Sequence, residues 1–225
     1  MELNADFTRR AAVHAGRMDW VASPMPGVER RMLDRIGDEV ARATTIVRFA
    51  PGSAFSPHTH DGGEEFLVLD GVFQDEYGDF PAGTYVRNPP TTRHTPASTP
   101  GCTIFVKLWQ FDAGDRNQFH VDTEAAEYRR DPARPGVSAL ELHRDAREVV
   151  TMERWEPGAQ VALQAEGGME VLVVRGGFAE GGDDFTRQSW LRLPQGAASV
   201  AVTGAEGAQV WIKRGHLAGE IGAPG

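Results

Sequence analysis

Gly52-Ser-Ala-Phe-Ser-Pro-His58-Thr59-His60-Asp-Gly-Gly-Glu64-Glu65-Phe-Leu-Val-Leu-Asp-Gly71 reads G-x5-H-x-H-x3-E-x6-G, and Gly83-Thr-Tyr-Val-Arg87-Asn-Pro89-Pro-Thr91-Thr-Arg-His94 reads G-x5-P-x-T-x2-H. Side chains alternate faces along a strand, so His58 and His60 project together while Thr59 points away. The turn-forming Asp61-Gly62-Gly63 lets the chain reverse, which brings Glu64, at the head of the next strand, within reach of the same point. Phe66 to Leu69 continue as a well-buried strand until Gly71 interrupts it. His94 arrives on a separate strand behind the Pro89-Pro90 corner. Glu65 is the rival carboxylate, but it faces the other way, and the E-x6-G spacing favours Glu64. Three neutral imidazoles and a carboxylate suit Fe, Mn, Ni or Zn, and an octahedral ion held by four such ligands keeps two positions open.

The second organising feature is a duplication. Gly62 to Phe80 aligns without gaps on Gly167 to Phe185, a constant offset of 105 residues, and the same offset carries Pro89 onto Pro194 and Tyr85-Val86-Arg87 onto Trp190-Leu191-Arg192. Upstream, Pro26-Gly27-Val28 recurs as Pro135-Gly136-Val137, and Arg48 to Gly52 recurs as Arg154 to Gly158. Two copies of one β-domain therefore lie in tandem. The second copy has lost the four polar positions: His58 falls on Leu163, His60 on Ala165, Glu64 on Met169 and His94 on Ser199. A one-residue shift offers Gln164 and Glu166 but restores no histidine. Three apolar residues in such places predict a filled core and a structural second half, the alternative being a remodelled ligand pocket.

The 225-residue chain contains 26 glycines and 14 prolines among short Val/Leu/Phe-rich runs, the composition of a mainly β protein with many tight turns. Helical or irregular structure is expected only in the entry segment and in the charged stretch 112–134, where the alternation of Asn117 to Asp122 suggests a strand. A net charge of −9 gives no electrostatic footprint for nucleic acid. No apolar run is long enough for a membrane span and the first residues lack a signal peptide's apolar core, so a soluble cytoplasmic protein is expected. The single cysteine, Cys102, excludes an internal disulfide and reads as a buried inert thiol. His14, His120, His143 and His216 are assigned no role. Metal-bound histidines need partners for their second ring nitrogen, and the candidates are Glu65, Arg87, Lys107 and Trp109, of which Glu65 and Arg87 are carried forward as candidate catalytic residues.

The two motifs resemble those of the cupin superfamily. Within it, PGVERRMLDR, VRFAPGSAF, GGEEFLVLDGVF and FPAGTYVRNPP are most similar to the ChrR-like anti-sigma-factor cupin family, which also includes acetylacetone-cleaving and dihydroxyacetophenone-cleaving dioxygenases. The resemblance implies two tandem jelly-roll β-barrels, a bicupin. It divides into an entry segment 1–25, a metal-binding cupin 26–111, a linker 112–134 and a degenerate cupin 135–225. It implies one divalent metal per chain on His58, His60, Glu64 and His94, with Fe(II) favoured over Zn, Mn or Ni. Thr91 and Ser98 depart from the usual glycine and asparagine, which bears on local turn geometry rather than on ligands. Anti-sigma members carry an N-terminal helical zinc domain with a His/Cys cluster; about two dozen residues without cysteine precede the likeness here, so sigma-factor binding by that mode is not expected. The favoured expectation is an Fe(II) dioxygenase for a β-dicarbonyl or hydroxyketone. The other is a non-catalytic zinc-binding, ligand-sensing module. Either would take a small molecule as partner, and a homodimer is compatible with both.

Overall fold

The computed structural model describes residues 1–38, 40–219 and 221–224. It contains, among those residues, no α-helix and one 3-10 turn, Ala15–Arg17. Alternation accounts for this: in Gln160–Ala165 every second residue, Val161, Leu163 and Ala165, is buried and the others are exposed, the pattern of a strand with one face on a core.

The chain forms two compact units. One holds residues 1–5 and 19–125 with a short C-terminal segment; the other holds 6–18 and 126–221. In the first unit the main antiparallel sheet runs Glu2–Leu3, Val28–Gly37, Ala41–Phe49, Cys102–Leu108, Glu64–Asp75, Thr84–Asn88, Phe119–Asp122. In the second it runs Arg129–Arg130, Val137–Arg144, Val149–Trp155, Ala197–Arg214, Met169–Glu180, Ser189–Leu193, Ala11–His14. The order is the same, as the duplication requires. Each sheet ends on a strand that precedes the other repeat in sequence: Phe119–Asp122 pairs with Thr84–Asn88, and Ala11–His14 pairs with Ser189–Leu193. The entry segment, expected to be helical or irregular, is thus recruited as a sheet strand, as is Phe119–Asp122, where the alternation of Asn117 to Asp122 already suggested one; Arg129–Arg130 is a further short strand where helical or irregular structure was expected. Unpaired backbone groups on the outer strand of each sheet provide the driving force.

Each unit has its own core. Phe66, Val68, Phe73, Phe80, Val86, Ile104 and Val106 form the first, together with Cys102, whose burial pushes its thiol up to about 11 and keeps it a thiol at neutral pH. The second is built on Trp155, Val171, Val210 and Ile212 with the stacked pair Phe178 and Phe185.

The long strand Glu64–Asp75 carries a bulge that matters for the site. Val68 pairs with Ile104, but the next pair is Asp70 with Thr103, so Leu69 is the extra residue. Gly71, at φ +69°, follows it; a Cβ there would lie 2.0 Å from the Gly101 carbonyl oxygen. The bulge reverses the alternation. Glu64, Phe66 and Val68 face inward before it, and Phe73 and Asp75 face inward after it. Met169–Glu180 repeats the irregularity between Val173 and Arg175, with Gly176 at φ +64°.

Candidate metal centre

His58 and His94 are directly opposed in a two-stranded ribbon, His58–Thr59 against Arg93–His94. His60 follows across one residue, and Glu64 opens the next strand after the Gly62-Gly63 turn. That turn is fixed from outside, because the Trp109 indole lies where a Gly62 Cβ would be, 2.1 Å from its nearest ring atom, and Phe111 occupies the corresponding space over Gly63. Trp109 therefore supports the backbone that spaces His60 from Glu64. The result is that one ligand-type atom from each of His58, His60, Glu64 and His94 lies within 4.8 Å of the others. His60, Glu64 and His94 are buried and His58 is exposed.

The hydrogen bonds settle which ring nitrogens face inward. His94 Nδ1 lies 3.1 Å from Asp75 Oδ2, and a carboxylate accepts, so Nδ1 carries the proton. The Thr92 hydroxyl donates to Pro89 O at 2.7 Å, which leaves its oxygen to accept from His60 Nδ1 at 3.0 Å. His58 Nδ1 faces the Ser56 carbonyl at 3.4 Å. Each ring thus offers a bare Nε2 lone pair. His60 Nε2 and His94 Nε2 stand 3.2 Å apart, with Glu64 Oε2 at 3.4 and 3.6 Å from them. Glu64 Oε2 is buried without a hydrogen-bond donor. Several acceptors converging without a donor repel one another unless a cation joins them, which is the chemistry of a divalent-metal site. Electrostatics follow the geometry. Burial outweighs the nearby Glu64 charge and lowers the pKa of His60, whereas at His94 burial is outweighed by the Asp75 hydrogen bond and the charges of Glu64 and Asp75, so its pKa is raised.

Two local features bear on the turn that departs from the family pattern. Thr91 sits at φ +78°, in the left-handed region that favours glycine and strains a β-branched residue. Its N–H donates to His60 O, and His60 N–H donates to Thr92 O, so the strained turn clamps the ligand's own backbone. Ser98 donates its hydroxyl to Val72 O at 2.6 Å.

Glu65 and Arg87, the candidate catalytic pair, stand elsewhere. Glu65 points to the opposite face of its strand, accepts from Tyr85 Oη at 2.6 Å, and lies opposite Arg87 on one neighbouring strand and Lys107 on the other. Arg87 reaches Asp115 at 2.7 Å and stacks on Phe111, and Lys107 donates to Thr44. The second unit keeps the same three charges in the same register, with Glu170 opposite Arg192 and Lys213, although its metal-type ligands are gone. A charge set retained without the ligands belongs to the sheet rather than to a metal. Glu65→Ala should accordingly lower stability by about 3 kcal/mol, the effect of stranding buried partner charges, while leaving the metal bound per folded molecule unchanged; urea denaturation alongside metal analysis reads both. The residues missed in sequence are Asp75 and Thr92.

At the counterpart positions of the second unit, Leu163 lies opposite Ser199 as His58 lies opposite His94, and Leu163, Ala165 and Met169 join the hydrophobic core. The remodelled half is filled, as its apolar replacements predict.

The ChrR Cupin-like domain family matches the chain twice, over residues 8–112 and 116–218. The chain belongs to that family. Each cupin match begins with the strand that the other unit incorporates. No curated protein matches the chain in sequence. Among solved structures, a candidate dioxygenase from Nostoc punctiforme superposes with a TM-score of 0.76 at 12% identity, covering 96% of this cupin and 86% of its own chain. Ylba from E. coli gives 0.69 at 13% identity, covering 96% and 95%. Pirin YhhW from Escherichia coli, solved with nickel(II), gives 0.62 at 16% identity, covering 91% and 98%. At these identities the likeness is one of fold, two cupin domains in one chain. Among the described residues no helix is long and apolar enough to cross a membrane.

Proposed function

We propose that this cupin is a metal-dependent dioxygenase whose first unit binds one Fe(II) ion through His58, His60, Glu64 and His94 and acts on a small oxygen chelator of the β-dicarbonyl or hydroxyketone class. The observation that carries the reading is the convergence of bare Nε2 atoms on a donorless buried carboxylate, with the exposed His58 on the solvent side. Bound there, Fe(II) would supply a Lewis acid for the chelating substrate and a redox partner for dioxygen. The protein's own contribution is positional. Ser56, Thr92 and Asp75 hold the three imidazoles in one tautomer, and Phe66, Phe73 and Val106 belong to the buried apolar cluster of the same unit. Phe73 packs against the His94 ring at 5.6 Å between centroids, and the exposed His58 is the side from which a substrate would approach. The Nostoc relative's description as a candidate dioxygenase and the nickel(II) in pirin support the class of chemistry.

Oxygen-electrode traces on protein loaded anaerobically with Fe(II) test the reading across a panel of β-dicarbonyls and hydroxyketones. Substrate-dependent uptake is expected with Fe(II) and not with Zn(II). No uptake with Fe(II), Mn(II) or Ni(II), together with tightly retained zinc from the cell, would favour a ligand-sensing module instead.

A further inference from the structure

Asp75 lies eleven residues beyond Glu64 on the same strand, a separation that in a regular strand places two side chains on opposite faces. The bulge at Leu69 cancels that parity and brings the Asp75 carboxylate onto His94 Nδ1 at 3.1 Å, with the Asp75 side chain 4% exposed. Its other oxygen accepts the Tyr77 N–H at 2.8 Å, which fixes the carboxylate's orientation. The His94 ring is the ionisable group that this carboxylate meets.

The duplicated unit supplies an independent comparison. Glu180 stands at the counterpart of Asp75 and Ser199 at that of His94, and Ser199 Oγ donates to Glu180 Oε1 at 2.5 Å. Here the imidazole is gone, and Arg10 supplies the positive charge, binding Glu180 Oε2 at 2.7 Å. Both units thus keep a buried carboxylate at this place, hydrogen-bonded to the residue at the His94 position.

We propose that Asp75 is the positioning residue of the metal centre: its carboxylate fixes the His94 ring so that Nε2, not Nδ1, is presented to the ion. The inference rests on the metal reading of the four ligands and deepens it. Asp75 does not touch the ion. It acts through His94, raising the basicity of the ring and removing its freedom to rotate or to exchange tautomers.

Metal-stripped protein titrated with Zn(II) against a competing chelator provides the test. Asp75→Asn should bind zinc about 10- to 100-fold more weakly than wild type, the usual effect of losing an outer hydrogen-bond partner, and Asp75→Glu should recover most of the loss. Glu180→Gln is the structural control, expected to lower the melting temperature without changing zinc affinity. Unchanged affinity in a folded Asp75→Asn protein would overturn the assignment. Histidine ring 15N NMR on zinc-loaded wild type needs no variant: the inference expects His94 with Nδ1 protonated and Nε2 ligated, and a ring ligated through Nδ1 would overturn it. Wild-type protein that takes up no zinc would overturn the metal reading and this inference with it, whereas uptake by wild type and Asp75→Asn alike would overturn the inference alone.

Discussion

Glu64→Ala and Met169→Ala, made at corresponding positions of the two repeats, should produce opposite results. Removing the Glu64 carboxylate takes away a ligand outright, so metal affinity should fall by about 100-fold or more, beyond the loss caused by removing an outer partner. The metal-free protein should not suffer, because the variant deletes a buried oxygen that has no donor. Met169 is 1% exposed in the second core. Its truncation leaves a cavity and should cost about 2–5 kcal/mol while metal binding in the other unit persists. Isothermal titration and chemical denaturation on both variants separate the two effects. Loss of metal from Met169→Ala in folded protein would mean that the second unit does contribute to the site.

The second large effect is on pH. Metal ions compete with protons for imidazole nitrogen. Because the metal-free His94 holds its proton to a higher pH than an ordinary histidine, apparent affinity should begin to fall above pH 6.5 as the solution is acidified, by about tenfold per unit while one proton competes. His60, whose pKa is lowered, joins only at lower pH and steepens the decline. The sign for stability has two parts. In metal-free protein the raised His94 pKa contributes stability that is present below its unfolded value and lost as pH rises through the folded one. The bound metal contributes in the opposite direction, strongest at high pH where the rings are neutral. The gap in melting temperature between loaded and stripped protein should therefore be widest in mild alkali and shrink steadily on acidification. A gap independent of pH between 5 and 8 would argue against imidazole ligation.

Much of this was legible in the residues. The H-x-H step puts two imidazoles on one face of a strand, and the glycine pair explains how Glu64 rejoins them; the choice of Glu64 over Glu65 followed from alternation together with the E-x6-G spacing. The duplication was legible because its offset is constant through the long strand and its partners. What could not be read is what depends on non-local pairing. Asp75 is on the wrong face by counting, and only the bulge, defined by the register against Cys102–Leu108, turns it inward. Ala11–His14 and Phe119–Asp122 are too short to declare their partners, and each joins the sheet of the other repeat. Glu65, Arg87 and Lys107 looked like a shell around the metal because they flank the ligands in sequence, yet a one-residue step along a strand is a change of face.

One metal centre in one of two duplicated barrels is what is proposed for this chain. Anomalous diffraction from crystals of the metal-loaded protein, recorded on both sides of the metal's absorption edge, tests that claim most directly. A single peak per chain is predicted, within bonding distance of His58, His60, Glu64 and His94, with none near Leu163, Met169 and Ser199. A peak in the second unit, or none at the four ligands in protein that analysis shows to contain one equivalent of metal, would contradict it.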